Sequence, residues 1–499
     1  MKILSRAIIV AAFAAGVLNT VKASETDYTK GIMIVNEDWY GHQNSTVNYL
    51  LPDDVDGDYW RYRIVQAENP GKELGCTNQY GAIWNGRMYL IAKQEKDPGA
   101  SVVGGRISVT DAKTMKLIKQ LQIIDPSGRQ CDGRAFCGVT DKKGYVSTSN
   151  GIWVLNLETL EIERQVEGSG NPNLGDDDKP NTDSGSSLYY GQTGTMVLAG
   201  GKVFAVHQQY GLLVVDTQTD KVVDVLDMGI VDDVVEAETG KRPASGIGST
   251  IVRSKDGNLW YAVAKNVQGM GATLPYVVKV NPTTLEREVV HIDGEGMYPP
   301  SNSWYAWTPD PMCASRVTNS LYWCGGANSW FTTYCVFRFD TDSHKIEKII
   351  DFSSEPGDWH IYGCSLGIHP QTDELYASVF HQFQDQTYAT RRYTSDGVLK
   401  NDYPMIANYW FPSMIVFPTD PYNNPGYSSV SVPASDENIM VKVVDRSIVV
   451  DGCHDFQVYS LDGKMCGSEN LQPGIYVVRA DGRKAQENVK IPDVTSISM

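Results

Sequence analysis

The sequence is poor in basic residues and lacks the ligand spacing that would mark a zinc enzyme. Its 499 residues include 43 Lys and Arg against 60 Asp and Glu, which gives a formal charge of −17. We therefore expect no nucleic-acid partner, because such proteins need a basic face to bind phosphates. No C-x-x-C or H-x-x-x-H pair stands at zinc spacing.

Long apolar runs are absent beyond the N-terminus, where residues 1–23 have the pattern of a secretory signal. Lys2 and Arg6 precede an apolar run over residues 7–18, and a small-residue cleavage site ends at Ala23. We therefore expect an exported protein, in the periplasm or at the outer-membrane surface, with no transmembrane segment in the mature chain. No Cys follows the cleavage site, so we expect no lipid at the new N-terminus.

The nine cysteines are compatible with export, because disulfides form and persist outside the cytoplasm. Three pairs lie close together in the sequence: Cys131 with Cys137, Cys324 with Cys335, and Cys453 with Cys466. Spacing does not determine how cysteines are connected, so disulfides and structural thiols both stay open.

A short turn followed by an apolar-aromatic strand repeats along the chain at a steady period. One aromatic residue marks each repeat and recurs every 54–62 residues, counted from one marked position to the next. Each repeat contains short strands and tight turns, and such small sheets bury their faces by stacking radially into a propeller. The six marking aromatics are Tyr89, Tyr145, Phe204, Trp260, Tyr322 and Tyr376.

A seventh repeat is split between the two ends of this region. Residues 31–35 supply a strand at its start, and residues 410–416 supply another at its end. We predict an all-β chain with a seven-bladed β-propeller over residues 24–420, closed by strands from both ends. In this interpretation Asn36 and Glu37 stand at the start of the first inner strand.

A second, smaller domain is predicted after the propeller. Residues 421–430 are rich in Pro, Asn and Gly, as expected of a linker. The strand-like segments beyond it are separated by D-G turns, as in Leu461-Asp462-Gly463. We therefore predict a small C-terminal β-sandwich over residues 431–499.

Two parts of the chain resemble known families. The strand Ile34-Val35-Asn36-Glu37, the blade pattern and the closing strand resemble the exported, YncE-like seven-bladed propellers of Bacteroidetes. That family is related to surface propellers that capture cobalamin, so the resemblance implies the fold and a ligand-binding role. Residues 456–463 and 471–478 resemble the sorting domains of type IX secretion, with a strand, a D-G turn and an L-x-x-G-I-Y strand. This implies a location at the cell surface, with an outer-membrane transporter as a further partner.

The connections before the repeats are rich in aromatic and amide side chains. In a propeller these connections enter the innermost strands and crowd around one end of the axis, where ligands commonly bind. Aromatic rings supply stacking surfaces, while amides, one Arg and one His fix the orientation of a ligand. The candidate ligand-binding residues are Asn78, Gln79, Tyr80, Arg134, Tyr190, Gln192, Trp304, Tyr305, Trp307, Trp359, His360, Tyr409 and Trp410. We assign no catalytic residue and no metal ligand, and we expect no cofactor.

These features predict a non-enzymatic protein that captures a large small-molecule ligand, either a corrinoid such as cobalamin or a glycan. A protein-binding platform is one alternative. A metal-assisted lactonase is another, in which Asn36 and Glu37 would offer oxygen ligands near the axis. His207 and His381 follow the marking aromatics of equivalent strands, a placement more typical of a hydrogen-bonded sheet histidine than of a metal ligand.

Overall fold

The computed structural model describes most of the predicted propeller and the strands of the C-terminal region. The described residues are 26–54, 56–174, 191–242, 247–264, 273–299, 312–325, 332–381, 385–425, 440–444, 447–451, 456–460, 464–472, 474–480 and 485–491. Within them, two short helices, α1 (Ile64–Glu68) and α2 (Gly229–Thr239), accompany strands that form antiparallel sheets. Among the described residues, no helix is long and apolar enough to cross a membrane.

Seven of the sheets are the blades of a propeller. Each is built on four antiparallel strands, which follow sequence order in every blade except the first, and neighbouring blades contact each other through their innermost strands. The first blade contains β1 (Ile32–Asn36), β2 (Thr46–Leu50) and β3 (Trp60–Arg61); the second contains β4 (Cys76–Trp84), β5 (Arg87–Gln94), β6 (Ile107–Asp111) and β7 (Leu117–Leu121); the third contains β8 (Gly133–Gly138), β9 (Lys143–Thr148), β10 (Gly151–Asn156) and β11 (Glu161–Gln165).

The remaining blades follow the same order. The fourth contains β12 (Thr193–Ala199), β13 (Lys202–His207), β14 (Gly211–Asp216) and β15 (Lys221–Leu226); the fifth contains β16 (Ile247–Arg253), β17 (Leu259–Ala264), β18 (Thr273–Val280) and β19 (Arg287–His291); the sixth contains β20 (Met312–Ala314), β21 (Ser320–Gly325), β23 (Cys335–Asp340) and β24 (Ile346–Asp351); the seventh contains β25 (His360–Ile368), β26 (Leu375–Phe380), β27 (Tyr388–Tyr393) and β28 (Leu399–Pro404). A short strand, β22 (Thr332–Thr333), pairs with β25.

The first blade is completed by a strand from the far end of the propeller. β29 (Pro412–Val416) pairs with β1, with Ile415 opposite Ile34, and takes the innermost place. The predicted seven-bladed ring is therefore confirmed. The prediction that Asn36 and Glu37 begin an inner strand is wrong, because β1 is the second strand of its blade and Glu37 follows its end.

The period of the sequence repeat reflects packing between blades. The six marking aromatics all lie on the second strand of their blades and are at most 1% exposed. Tyr89, for example, stacks on Phe136 of the next blade, with ring centroids 4.0 Å apart and planes at 4°. Burying one such side chain contributes roughly 1.5–3 kcal/mol, so each blade gains from a large ring at this place.

The C-terminal strands form two further sheets. One joins β30 (Met440–Val444) and β31 (Ser447–Asp451), and the other joins β32 (Phe456–Ser460), β33 (Met465–Cys466), β34 (Gly474–Ala480) and β35 (Ala485–Ile491). Buried Ile448 of the first sheet packs with buried Val458 and Val478 of the second. This small apolar cluster gives the C-terminal region a core of its own.

The cysteines that the structure describes carry free thiols. They are Cys76, Cys131, Cys137, Cys313, Cys324, Cys335 and Cys466. Burial raises the pKa of both Cys131 and Cys137 to about 12, so these thiols stay protonated and unreactive at neutral pH.

Close approach between blades makes Gly138 a sensitive position. A Cβ atom built there would lie 2.0 Å from the Trp84 ring, which is buried and donates its indole N–H to the Thr140 carbonyl at 2.7 Å. Because neither group can move freely, Gly138→Ala should lower the free energy of unfolding by about 1–3 kcal/mol in urea titrations. As a control, Gly99→Ala should stay within about 0.5 kcal/mol, since its Cβ would meet only ordinary contacts. Equal effects of the two changes would contradict this account.

Candidate functional site

The inner strands pair irregularly near their first residues. We call the end of the propeller where the chain enters the inner strands the upper face. Among the described strands, six of the seven inner strands shift register there against their neighbours, so that they carry extra residues. Such bulges redirect side chains and are common beside binding sites. The residues at the shifts are Gln79 in β4, Arg134 in β8, Gly194 and Thr195 in β12, Ser249 in β16, residues 362–365 in β25, and Ser413 in β29.

Strained backbone accompanies these bulges. Asp38, Thr77 and Phe411 adopt positive φ angles of 59°, 55° and 42°. This left-handed conformation is rare for a β-branched residue such as Thr or a bulky one such as Phe, and it costs of order 1–3 kcal/mol at each position. Strain of this kind is concentrated at binding and catalytic sites, and here it is found where the first and second blades meet the axis.

Glu37 lies on the upper face between three blades. Its carboxylate accepts hydrogen bonds from the Gln79 amide at 3.2 Å and from the Tyr362 hydroxyl at 3.0 Å, and its backbone N–H donates to the Phe411 carbonyl. Burial raises the pKa of Glu37, while Lys93 and these hydrogen bonds oppose the rise. One carboxylate therefore links side chains from the first, second and seventh blades.

A buried group of opposite charges lies beside Glu37. Arg134 donates through Nε to the Gln192 side-chain oxygen at 2.7 Å, and its guanidinium lies 3.8 Å from the Asp132 carboxylate. Asp132 also forms an ion pair with Arg106 at 3.0 Å. Burial acts to raise the pKa of Asp132, but the charges of Arg134, Lys93 and Arg106 outweigh it and lower that pKa.

Lys93 completes this group. Burial and the neighbouring Arg134 charge lower the pKa of Lys93 to about 8, although Asp132 and Glu37 oppose the shift. The axial polar cluster, as we call it, consists of Glu37, Gln79, Lys93, Asp132, Arg134, Gln192 and Tyr362.

Aromatic rings lie near the cluster on the upper face. The Trp39 ring contacts His42 at 4.4 Å and Tyr409 at 4.8 Å between centroids. Tyr40, in the same loop, is 51% exposed. These four residues, Trp39, Tyr40, His42 and Tyr409, form what we call the aromatic rim. Trp39 reaches the axial polar cluster through Phe411, which contacts both the Trp39 and the Tyr362 rings.

The loop that carries the rim is held against the second blade. The Gly41 N–H donates to the Asp97 carboxylate at 2.6 Å, and the Asp97 N–H donates to the Asn44 side chain at 2.6 Å. Asp38 is buried and accepts a hydrogen bond from Thr46 at 2.9 Å. The rim is therefore positioned before any ligand arrives, which reduces the conformational entropy lost on binding.

The predicted residues Trp359 and His360 lie on the seventh-blade side of the upper face. The Trp359 ring contacts His381 at 3.9 Å and the Arg391 guanidinium at 4.7 Å. His360 is buried, and its Nδ1 lies 3.2 Å from the His381 carbonyl. Trp359 is half-buried and presents part of its ring to solvent.

The structure brings some of the predicted residues together and separates others. Gln79, Arg134 and Gln192 join the axial polar cluster, while Asn78 and Tyr80 are buried beside it on β4. Trp410 is 1% exposed and stacks on Tyr62 at 5.4 Å, so its ring is part of the core, and the prediction of a ligand-stacking surface there is wrong. Tyr409 belongs to the rim. The predicted residues Tyr190, Trp304, Tyr305 and Trp307 lie outside the described residues.

Several members of the site were not predicted. Lys93 interrupts the apolar run Met88-Tyr89-Leu90-Ile91-Ala92 of β5, and a cation in a buried strand is a signal that sequence alone could supply. Asp132 stands two residues before Arg134, in the connection to β8 from which the sequence predicted only Arg134. Tyr362 gives no such signal, because its place on the axis depends on the bulge in β25.

The two histidines weighed as metal ligands are hydrogen-bonded within the blades. His207 is buried, and its Nδ1 accepts from the N–H groups of Gln209 and Tyr210. His381 lies 3.2 Å from the Asp385 carboxylate. Over the described part of the chain, no three His, Cys, Asp or Glu side chains are grouped as metal ligands would be.

Together, the blades and the axial cluster define the class of protein: a seven-bladed β-propeller with a polar centre on its upper face. The model of one family, described as "Domain of unknown function (DUF5074)", matches residues 30–418. The chain belongs to that family. No curated protein matches it.

Several solved structures contain chains that are similar to this one at low sequence identity. Dihydro-heme d1 dehydrogenase NirN, in complex with DHE, is 12% identical over 76% of this chain and 74% of its own, with a TM-score of 0.41. A chain of the mitotic checkpoint complex is 11% identical over 77% and 90%, with a TM-score of 0.42. The extracellular domain of a one-component system from B. thetaiotaomicron is 14% identical over 85% and 48%, with a TM-score of 0.40.

Proposed function

We propose that this protein is an exported, non-catalytic propeller that captures a large nutrient on its upper face, with a corrinoid as the first ligand to test. The observation that carries the proposal is the continuous path from the aromatic rim to the axial polar cluster, from Trp39 through Phe411 and Tyr362 to Glu37. A large ligand that lies on the aromatic rim would turn its polar edge toward the hydrogen-bond donors and acceptors of the axial polar cluster.

The chemistry of the two parts suits a corrinoid. A flat macrocycle offers an apolar face to Trp39 and Tyr409, and aromatic contacts of this kind contribute about 0.5–1.5 kcal/mol beyond their buried area. The amide side chains of a corrinoid both donate and accept hydrogen bonds, as the upper face does. A glycan is the second candidate, because the same rim can stack on the apolar face of a sugar ring.

Removing the Trp39 ring should weaken binding with little effect on folding. We expect Trp39→Ala to raise the Kd for cyanocobalamin at least tenfold in isothermal titration, because the variant loses both stacking and buried area. Tyr459→Ala, in the C-terminal sheet, is the matched control and should leave the Kd unchanged. Unfolding curves of both variants should match the parent within about 1 kcal/mol, since Trp39 is only half-buried.

The outcomes separate the candidates. Cyanocobalamin binding that is insensitive to Trp39→Ala would place the site elsewhere and overturn the role of the rim. No cyanocobalamin binding, with binding to a glycan array that Trp39→Ala abolishes, would identify the glycan as the ligand. If neither ligand binds, small-molecule capture is wrong, and a protein partner or hydrolysis of lactones becomes the function to pursue.

A further inference from the structure

A cavity of about 290 Å³ lies on the propeller axis, below the axial polar cluster. All seven inner strands contribute to its wall, and most of the wall residues are apolar. An engineered apolar cavity of roughly 150 Å³ already binds benzene, so the cavity of about 290 Å³ has room for a molecule of roughly two fused aromatic rings. The apolar wall includes Met196, Ile251, Met312, Leu366, Met414 and Ile415.

The chain that follows β29 crosses the lower end of the cavity. The Tyr422 ring is in cation–π contact with Arg253 of the fifth blade at 3.9 Å and with Arg316, which follows β20 of the sixth blade, at 4.0 Å. The carbonyl of the next residue, Asn423, accepts a hydrogen bond from the Asn85 N–H of the second blade at 2.8 Å. In a ring of seven, the second blade lies opposite the fifth and sixth, so this segment spans the axis.

The charged groups at the lower end already bind protein groups. Arg316 pairs with Asp420 at 3.2 Å, and Arg253 donates to the Leu198 carbonyl at 3.1 Å. The Nε–H of Arg316 has no hydrogen-bond acceptor among the described residues, but its guanidinium lies on the Tyr422 ring. The selectivity of the cavity therefore comes from its apolar wall rather than from charge, because burying an ion beside apolar side chains is unfavourable.

Three methionines in the wall favour an aromatic ligand. Met196, Met312 and Met414 come from the fourth, sixth and first blades, so they approach the axis from different directions. Met196 and Met312 are at most 4% exposed. A thioether is polarizable and makes favourable contacts with aromatic rings, and its flexible side chain adapts to the outline of a ligand.

One polar side chain at the upper end of the wall requires a partner. Thr195 lies at the bulge in β12, is 2% exposed and lines the cavity. Its hydroxyl has no hydrogen-bond partner among the described residues. A buried hydroxyl left in this state is unfavourable, whereas a ligand hydroxyl beside it would restore the missing bond, with either group as the donor.

We propose that the axial cavity is a second binding site, for an uncharged aromatic molecule of about two fused rings that carries one hydroxyl group. The rings lie among the methionine and aliphatic side chains, and the hydroxyl forms a hydrogen bond with Thr195. The wall includes no residue of the aromatic rim or of the axial polar cluster. This site therefore stands or fails independently of nutrient capture on the upper face.

The test uses 2-naphthol and 2-methylnaphthalene, which have nearly the same shape but differ in that only 2-naphthol carries a hydroxyl. The affinity of the full chain for each probe is measured by equilibrium dialysis. We expect Thr195→Val to raise the Kd for 2-naphthol by about threefold or more and to change the Kd for 2-methylnaphthalene by less than about twofold. Thr159→Val, at an exposed turn of the third blade, is the matched control and should change neither Kd.

A second variant fills the cavity. Ala82 lines the wall and is partly buried, so Ala82→Phe would place a ring where the probe lies and should weaken the binding of both probes by about tenfold or more. Ala67→Phe, at an exposed position of α1, should leave both affinities unchanged. Urea titrations show whether Ala82→Phe folds as the parent does; if it does not, Thr195→Val decides the test.

The proposal is overturned if neither probe binds, since the cavity then holds only water. It is also overturned if Thr195→Val weakens the two probes by the same factor, or if a folded Ala82→Phe binds both probes as the parent does. Loss of 2-naphthol binding in Trp39→Ala would place the probe on the aromatic rim and overturn its assignment to the axis.

Discussion

Asp132→Ala is expected to lower the free energy of unfolding of the propeller by about 3–5 kcal/mol, the range found when one partner of a buried ion pair is removed. The Asp132 side chain is fully buried, 3.0 Å from Arg106 and 3.8 Å from Arg134. Without it, the Arg106 and Arg134 guanidinium groups and the nearby Lys93 amine would lose the carboxylate that they share, although Arg106 would keep its ion pair with Glu95 at 3.0 Å. Water is largely excluded from this region, so it cannot replace the lost carboxylate.

The measurement is a urea titration followed by tryptophan fluorescence, with two comparison variants. Asp132→Asn keeps the size and part of the hydrogen bonding, and it should fall between the parent and Asp132→Ala. Asp396→Ala removes an exposed partner of Arg338, 2.6 Å away, and should cost no more than about 1 kcal/mol. If Asp132→Ala and Asp396→Ala cost the same, the axial polar cluster does not hold the blades together as described.

The fold could be predicted from the sequence because one aromatic residue in each repeat occupies the same position between two blades. An aromatic ring on the second strand fills the space between neighbouring blades, as Tyr89 and Phe136 show, and this requirement recurs with every blade. The identity of the innermost strand in the first blade could not be predicted in the same way. β29 and β1 are far apart in the chain, and both carry apolar residues such as Ile34 and Ile415 that would suit either place.

The site was predictable only in part. Gln79 and Arg134 stand where the chain enters an inner strand, and sequence position alone places them near the axis. The bulges that direct them are not visible in the sequence, because a one-residue shift leaves the alternation of buried and exposed positions locally irregular. Trp410 shows the opposite failure. Its connection resembles the other aromatic connections, but a stacked Tyr62 and a hydrogen bond to the Ile406 carbonyl bury its ring.

Acid should destabilise the propeller through His207, a second effect of large size. Burial lowers the pKa of His207 to about 4, from an ordinary value of 6.5. Between these two pH values the unfolded chain binds a proton at His207 and the folded chain does not, so folding stability falls as the pH is lowered through this window. Each pKa unit corresponds to 1.36 kcal/mol, so the full loss amounts to about 3 kcal/mol by pH 4.

The structure explains why protonation is resisted. The His207 ring is fully buried and stacked on Tyr210 at 4.3 Å, and its Nδ1 accepts hydrogen bonds from two backbone N–H groups. A proton on Nδ1 would replace both acceptor interactions with repulsion, while a charge on the ring would lack solvent. The neutral ring with its proton on Nε2 is therefore the form that folds.

His207→Asn tests this directly, because its side-chain oxygen can replace Nδ1 as an acceptor but does not titrate. Unfolding free energies of parent and variant should converge as the pH falls from 7 to 4.5, with the parent losing about 2–3 kcal/mol more than the variant. Because burial raises the pKa of Glu37, that carboxyl group contributes a pH dependence of the opposite sign, so only the difference between parent and variant isolates His207. Parallel pH profiles for parent and His207→Asn would show that folding leaves the pKa of His207 unchanged and that its burial does not control acid stability.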